Sequence, residues 1–497
     1  MKKYILIILC CLTSFPLWSY NVNMIVEHYS VDQGLPNNTV NCTLKDRDGF
    51  IWFGTWYGLC CFDGVKFKTF NKQEHDSDVP PRKIQRIVED KNGYIWVKTI
   101  DRKLYVFNKV TECFHAVYDD MKNYSENIQV IKLQNTAEGD VLLLTKDKNL
   151  LLAGVDEKGQ VTIKILFDSR DEINKHDYTL KHHVLCETEE YISWIGTDYK
   201  VSAVHKGAEL ASRPADFITS KINSGDKDSF TSFFEDGRKV WVGDRAGIFY
   251  SIDVRTGLVN RYVLSEIKGA ISNLLVTPAG YVYLSVAGQG TYEYDLAERR
   301  LQKINTEMND AMVTHAFIDQ YDKIWFHENE KALIYYDPLN HTAKRFPFTM
   351  FGKITTLYSE DAGERGLFFL SPAGEAWLFD REHAEMVYIN KLKQLSNDRA
   401  NQQFYHLMLD NDGVLWLSSA DEGVYCMNFP KKQFNLLSLS PQSAGRENYA
   451  TGVRALFQSK SGDIWVGTRW QSVYRMDRNG VTKHVFSTGD EHIGNVY

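Results

Sequence analysis

The sequence predicts an all-β repeat fold, and three observations carry that expectation. Aromatic residues make up 13% of the 497 residues, with 27 Tyr, 27 Phe and 11 Trp, and such side chains favour half-buried pleated surfaces over helix interiors. One motif recurs: Lys45-Asp46-Arg47-Asp48-Gly49-Phe50-Ile51-Trp52-Phe53-Gly54-Thr55 aligns with Glu89-Asp90-Lys91-Asn92-Gly93-Tyr94-Ile95-Trp96-Val97-Lys98-Thr99, and again with Ser461-Gly462-Asp463-Ile464-Trp465-Val466-Gly467-Thr468. Weaker copies centre on Trp194, Trp241, Tyr283, Trp325 and Trp416, and the most eroded on Leu142 and Phe368, which makes ten units. From Trp52 to Trp465 is 413 residues over nine intervals, a mean period of about 46. The third observation is alternation between short strands and turn residues inside each unit. A period in this range suits the four-stranded blade of a β-propeller.

The elements of a unit follow in order. Val40 to Lys45 alternates as an inner strand, Asp46 to Gly49 supplies a tight turn, and Phe50 to Thr55 makes a second strand. Gly58 to Phe62 reads as the third strand, Asp63-Gly64 as a turn, and Lys66 to Phe70 as the outermost strand. Asp and Asn side chains bond nearby backbone amides, and Gly takes the positive φ that closes a short hairpin. In Ile-Trp-Phe and Ile-Trp-Val the flanking apolar residues are expected to face one neighbouring blade and Trp the other. One blade cannot bury both faces alone, so the repeats must stack.

Propellers usually have four to eight blades, so ten units overfill one ring. The expected arrangement is a seven-bladed β-propeller over residues 21–348, divided near Pro347 from three blades of a second, incomplete propeller over 349–497. The chain stops at Ile493-Gly494-Asn495-Val496-Tyr497, which looks like the start of another inner strand. The expectation is that the sequence is truncated.

The first 20 residues read as a secretory signal peptide: Lys2 and Lys3, an apolar run from Tyr4 to Leu12, then Pro16 and small residues before Tyr20. That run is shorter than the roughly 20 residues of a membrane anchor, so no membrane insertion is expected after cleavage. Formal net charge is −7, and loss of the two lysines takes it to −9 (55 basic against 64 acidic). Such a balance repels phosphate backbones and argues against a nucleic-acid partner. Cys42, Cys60, Cys61, Cys113, Cys186 and Cys426 remain. They lack the density of a disulfide framework and the paired spacing of a zinc site, and read as buried free thiols.

The opening Glu27-His28-Tyr29-Ser30-Val31-Asp32-Gln33-Gly34-Leu35-Pro36-Asn37-Asn38-Thr39-Val40, the Asp-x-Asp-Gly-x-Ile-Trp-x-Gly-Thr frame, and Gly58-Leu59 with Phe62-Asp63-Gly64 resemble the first blade of the two-component regulator propeller family. The resemblance runs over essentially Val26 to Tyr497, strongest at units one, two, nine and ten. It implies the periplasmic sensor half of a bacterial hybrid two-component protein, many of which detect oligosaccharides from polysaccharide breakdown. Members usually carry two seven-bladed rings, a β-sandwich, a transmembrane helix, a histidine kinase, a receiver and a DNA-binding helix-turn-helix. None of the later parts is recognisable in this sequence, so no catalytic activity of its own is expected; a homodimer belongs to the full-length protein.

Candidate chemistry is sparse. Asp46-x-Asp48-Gly49 and Asp410-x-Asp412-Gly413 superficially match calcium loops, but the third liganding position and the distal Glu are missing, and hairpin geometry explains the residues. No metal and no cofactor are expected. His182-His183 point to opposite faces of a strand, and no His-Glu-x-x-His, Gly-x-Ser-x-Gly or Walker pattern occurs. The informative positions follow the second strand of each unit, where turns line one face of a propeller. They give the candidate ligand-binding residues Trp56, Tyr57, Arg102, Tyr199, Asp244, Arg245, His327, Arg469 and Trp470. Aromatic rings present apolar faces to sugar C–H surfaces, and Arg forks bind carboxylate or sulfate. The leading expectation is a periplasmic, oligosaccharide-binding sensor region. The alternative is a secreted propeller enzyme, a lyase or glycoside hydrolase acting on polysaccharide, and a third is a scaffold for another envelope protein.

Overall fold

The computed structural model describes residues 25–70, 81–122, 129–146, 149–167, 185–187, 190–195, 201–206, 230–256, 258–304, 313–328, 331–348, 358–361, 366–371, 375–389, 404–428, 453–468, 472–477 and 482–487. Over these residues it is an array of ten antiparallel sheets, one for each repeat in the sequence; nine have four strands and the fourth shows three. In units one to eight and unit ten the strands pair in chain order, each with the next. One turn of α-helix, Tyr118–Met121, is the only α-helix among the described residues, and no helix there is long and apolar enough to cross a membrane.

The hairpin between first and second strands shows why the motif has its sequence. In unit one the Asp46 carboxylate accepts the amides of Asp48 (3.0 Å) and Phe50 (2.9 Å) with one oxygen and the Trp52 indole N–H (2.8 Å) with the other. Asp90 does the same for Asn92, Tyr94 and Trp96, and Asp410 for Asp412, Val414 and Trp416. Each Asp closes a turn and fixes a buried ring at once. Gly49, at φ +91°, supplies the left-handed residue of the turn.

The rings then pack sheet on sheet, with the expected facing. Ile51 and Phe53 join Trp416 and Val424 of unit nine, whereas Trp52 joins Ile95, Val97 and Phe107 of unit two. Farther along, Trp325 packs on Phe369 and Phe379 of unit eight while Ile324 and Phe326 face unit six. Gly54 marks how closely successive sheets approach: a Cβ there would lie 2.4 Å from Cys42 Sγ and 2.6 Å from Ile84 Cγ2. In eight sheets the first strand slips register at the same place, at Val40/Cys42, Ile84/Arg86 and their equivalents. Side chains there bridge to the next sheet: Asn41 donates to the Ile84 carbonyl (2.6 Å), Thr231 to Ile271 (2.7 Å) and Asn273 to Val313 (2.7 Å). The carbonyls of Ile84, Ile271 and Val313, each the first residue of a first strand, are thereby satisfied across the seam.

Two features bear on the division expected after residue 348. The N-terminal strand Ile25–Tyr29 pairs with Val424–Asn428 and so supplies the fourth strand of unit nine. Phe346 and Phe348 lie buried with Leu367, Phe369, Trp377 and Phe379 of unit eight. Pro347 sits on the outermost strand of unit seven, an edge position where a missing N–H removes no inner ladder bond, so it interrupts no sheet. By its contacts the chain forms two compact units, 1–429 and 430–497. Cys42, Cys60, Cys61, Cys113 and Cys426 are free thiols; burial pushes Cys42, Cys60, Cys61 and Cys426 up to about 12. The Cys186 side chain lies outside the described residues.

Candidate ligand-binding face

Backbone hydrogen bonds assemble the turns after the second strands into one surface. Within a unit the turn binds the residue just before the first strand: Trp56 N to Thr39 O (3.2 Å), Ile100 N to Lys83 O (2.9 Å), Lys146 N to Gln129 O (2.8 Å). Between units the next chain segment binds back, Lys83 N to Trp56 O (2.9 Å) and Val130 N to Arg102 O (2.9 Å). Units one, two and three therefore present their turns side by side, and Trp56, Tyr57 and Arg102 are brought onto the same face.

Trp56 is 44% and Tyr57 60% exposed, although the adjoining strand Ile51–Thr55 is buried throughout. The buried Thr55 hydroxyl fixes their turn, accepting Tyr57 N (3.2 Å) and donating to Gly58 O (2.8 Å). Lys83 Nζ stands 5.3 Å from the centre of the Trp56 ring, a cation–π distance. Arg102 has φ +68°, a left-handed conformation uncommon for a residue other than Gly. With Asp101, Lys103, Tyr105, Tyr118 and Met121 it lines a cavity of about 440 Å³. Lys83, Ile100 and Tyr118 escaped sequence reasoning, because they belong to segments between repeats or follow a turn whose length varies.

The other candidates are placed differently. Asp244 is buried, and its carboxylate accepts Ala246 N (2.9 Å) and Ile248 N (2.8 Å); burial raises its pKa above the ordinary carboxylate value. It forms the turn, and Arg245 beside it is exposed. His327 is half-buried with its ring 5.1 Å from Phe348, opposite His315 in the strand pair; burial and then His315 lower its pKa. Tyr199, Arg469 and Trp470 lie outside the described residues. The carboxylates of Asp46, Asp48 and Glu89 converge within 4.8 Å of one another, and the Lys109 ammonium occupies their centre at 3.0, 2.7 and 2.8 Å. The chain's own cation thus takes the place a metal ion would need.

Repeated four-stranded antiparallel sheets stacked face to face define a β-propeller repeat protein. Residues 34–57 match the family model "Two component regulator propeller". Among curated proteins, none matches the sequence. Similar solved structures include the extracellular domain of the hybrid two-component system BT3049 from B. thetaiotaomicron, at 15% identity over 95% of this chain and 68% of that one, TM-score 0.32. The extracellular domain of the one-component system BT4673 from the same organism is 18% identical over 93% of this chain and 62% of that one, TM-score 0.31. This chain thus spans less than two thirds of the BT4673 domain. Virginiamycin B lyase from Staphylococcus aureus is 8% identical over 81% and 99%, TM-score 0.32.

Proposed function

We propose that the chain is the exported, ligand-sensing propeller region of a hybrid two-component signalling protein, binding an oligosaccharide without catalysis. The observation that carries this reading is the match at residues 34–57 together with the exposed Trp56-Tyr57 pair beside Arg102 on one continuous face. Aromatic faces stack on sugar C–H surfaces and a guanidinium supplies directional hydrogen bonds. Signalling in the longer protein follows if the ligand binds one propeller arrangement more tightly than another. Residues 1–20 act as the signal peptide that delivers the chain to the periplasm.

The test is a thermal-shift screen of the chain against digests of plant, algal and host polysaccharides, followed by calorimetry on any hit. A hit should bind with unchanged oligosaccharide recovered, and the Trp56→Ala/Tyr57→Ala double variant should lose at least about tenfold in affinity, the scale of one lost aromatic contact. No hit across the panel overturns the reading. Depletion of the oligosaccharide, or appearance of unsaturated product, replaces it with a lyase or hydrolase.

A further inference from the structure

Unit two departs from the other repeats where its first two strands meet near the face. At the register position just past the bulge, unit one pairs Cys42 with Gly54, unit five Ser232 with Gly243, and unit ten Ala455 with Gly467. Unit two pairs Arg86 with Lys98. Like charges directly opposed on a strand pair are destabilising. Lys98 is also only 6% exposed, and its ammonium donates to the Ile131 carbonyl of unit three. Arg102, four residues further on, adds a third positive charge in a left-handed backbone conformation. Among the described residues no carboxylate forms an ion pair with Arg86, Lys98 or Arg102. The near acid, Asp101, is taken by Thr99 and by Lys103 at 3.4 Å.

These cations stand together in a chain whose net charge is −7, so the field they create is local and opposed to the overall one. Burial of Lys98, with Arg102 and Arg86 near it, lowers its pKa to about 8. Arg86 and Arg102 are exposed and free to reach a ligand. The cost of opposed like charges is relieved when an anion enters between them, and the gain is larger where a side chain is already desolvated.

We propose that this end of unit two recognises an acidic saccharide, one bearing carboxylate or sulfate groups, with Arg86 and Arg102 contacting the anion and Lys98 supplying fixed positive charge behind them. This rests on the oligosaccharide-binding reading above and narrows it to a ligand class. Trp56 and Tyr57, on the adjoining turn, receive the apolar face of a neighbouring ring.

Calorimetry with three probes tests it: oligogalacturonides for carboxylate, carrageenan oligosaccharides for sulfate without carboxylate, and malto-oligosaccharides as neutral sugar. At least one acidic probe should bind, more weakly as salt rises, and the neutral probe should not. Arg86→Gln and Arg102→Gln should each weaken acidic binding about tenfold or more, as expected for a charge-assisted hydrogen bond, with no fall in thermal midpoint and, for Arg86→Gln, a rise as the opposed charge is removed. If a variant does not fold, the salt dependence of the unaltered chain decides. Binding of the neutral probe as tight as the acidic ones, or acidic binding untouched by both substitutions, overturns the inference and leaves the oligosaccharide reading standing. Failure of all three probes and of the wider digest panel overturns both.

Discussion

Units one and ten carry nearly the same motif, Ile51-Trp52-Phe53-Gly54-Thr55 and Ile464-Trp465-Val466-Gly467-Thr468, yet their surroundings differ sharply. In unit one the second strand is buried along its whole length. In unit ten the first strand, Val453–Gln458, is exposed along its whole length, with Leu456 at 72% and Phe457 at 65%. Trp52 stacks on Phe70 of its own sheet at 5.4 Å and meets the edge of Phe107 from unit two at 5.6 Å. Trp465 stacks on Phe486 within its sheet at 5.7 Å, under the Arg475 guanidinium. The turn acid differs as well: Asp46 holds the Trp52 indole, whereas Ser459 stands at the corresponding turn position of unit ten and its hydroxyl bonds Asp463 N. The repeat is sufficient to pair strands and to stack rings within a sheet. In unit one the sheets on either side supply the burial.

The largest expected effect tests that contrast directly. Trp52→Ala should destabilise the chain by about 3–5 kcal/mol, the cost of deleting a large buried aromatic, and Trp465→Ala by about 1 kcal/mol, because less surface is lost from water. Denaturant unfolding followed by fluorescence reads both, and equal losses would break the comparison. Asp46→Ala removes the acceptor of two turn amides and an indole and leaves Lys109 with one fewer carboxylate. Its cost should be about 2–4 kcal/mol, against under about 1 kcal/mol for Ser459→Ala, which a thermal-melt comparison of the two variants can check.

Acid should weaken the packing of unit nine on unit one. His406, on the first strand of unit nine, has its Nδ1 buried without a hydrogen-bond partner, and burial, then Arg86, lowers its pKa from 6.5 to about 4. The unfolded chain therefore binds this proton at a higher pH than the folded one. Stability from this group is complete above about pH 6.5 and falls as pH drops towards about 4, by about 2–3 kcal/mol in all. The slope of stability against pH over that window should flatten in His406→Gln, and an unchanged slope would remove His406 as its source. The smallest effect sharpens the spacing argument. Gly54→Ala, whose Cβ would meet Cys42 Sγ and Ile84 Cγ2, should cost about 1–2 kcal/mol by overpacking, and Cys42→Ala should recover part of it. A neutral Gly54→Ala would mean the seam is looser than its distances indicate.

Much of the fold was legible because its causes are local. Hairpin turns need Asp and Gly at fixed offsets, strands need alternation, and the Ile-Trp-Phe frame names which side chains look each way, so the first strands, the turns and the facing of Trp52 follow from residues close in sequence. The candidate face was legible in part. Trp56, Tyr57 and Arg102 could be placed by counting past the second strand, but Asp244 is the last residue of its strand, aligned with Thr55, and turns inward to cap its own loop. The Arg86–Lys98 pair left a trace in the sequence, since Lys98 stands where Gly54 does in the aligned repeat. What hid its meaning is that Arg86 lies twelve residues earlier, on the partner strand, and only the bulged register sets the two opposite.

The sequence by itself determined that the chain makes repeated four-stranded antiparallel sheets, where each begins, and which way the Trp52 ring faces, because hydrogen bonding and pleat period act over a few residues. Only the tertiary structure decided which sheet the N-terminal strand completes. Ile25–Tyr29 pairs with Val424–Asn428, nearly 400 positions away, and any first strand of suitable alternation has the same backbone groups to offer every open edge. Tertiary structure likewise decided that Phe348 packs forward onto unit eight and that three cations share one end of unit two. Such choices depend on shape and on charge summed through space, and neither is written in the spacing of residues along the chain.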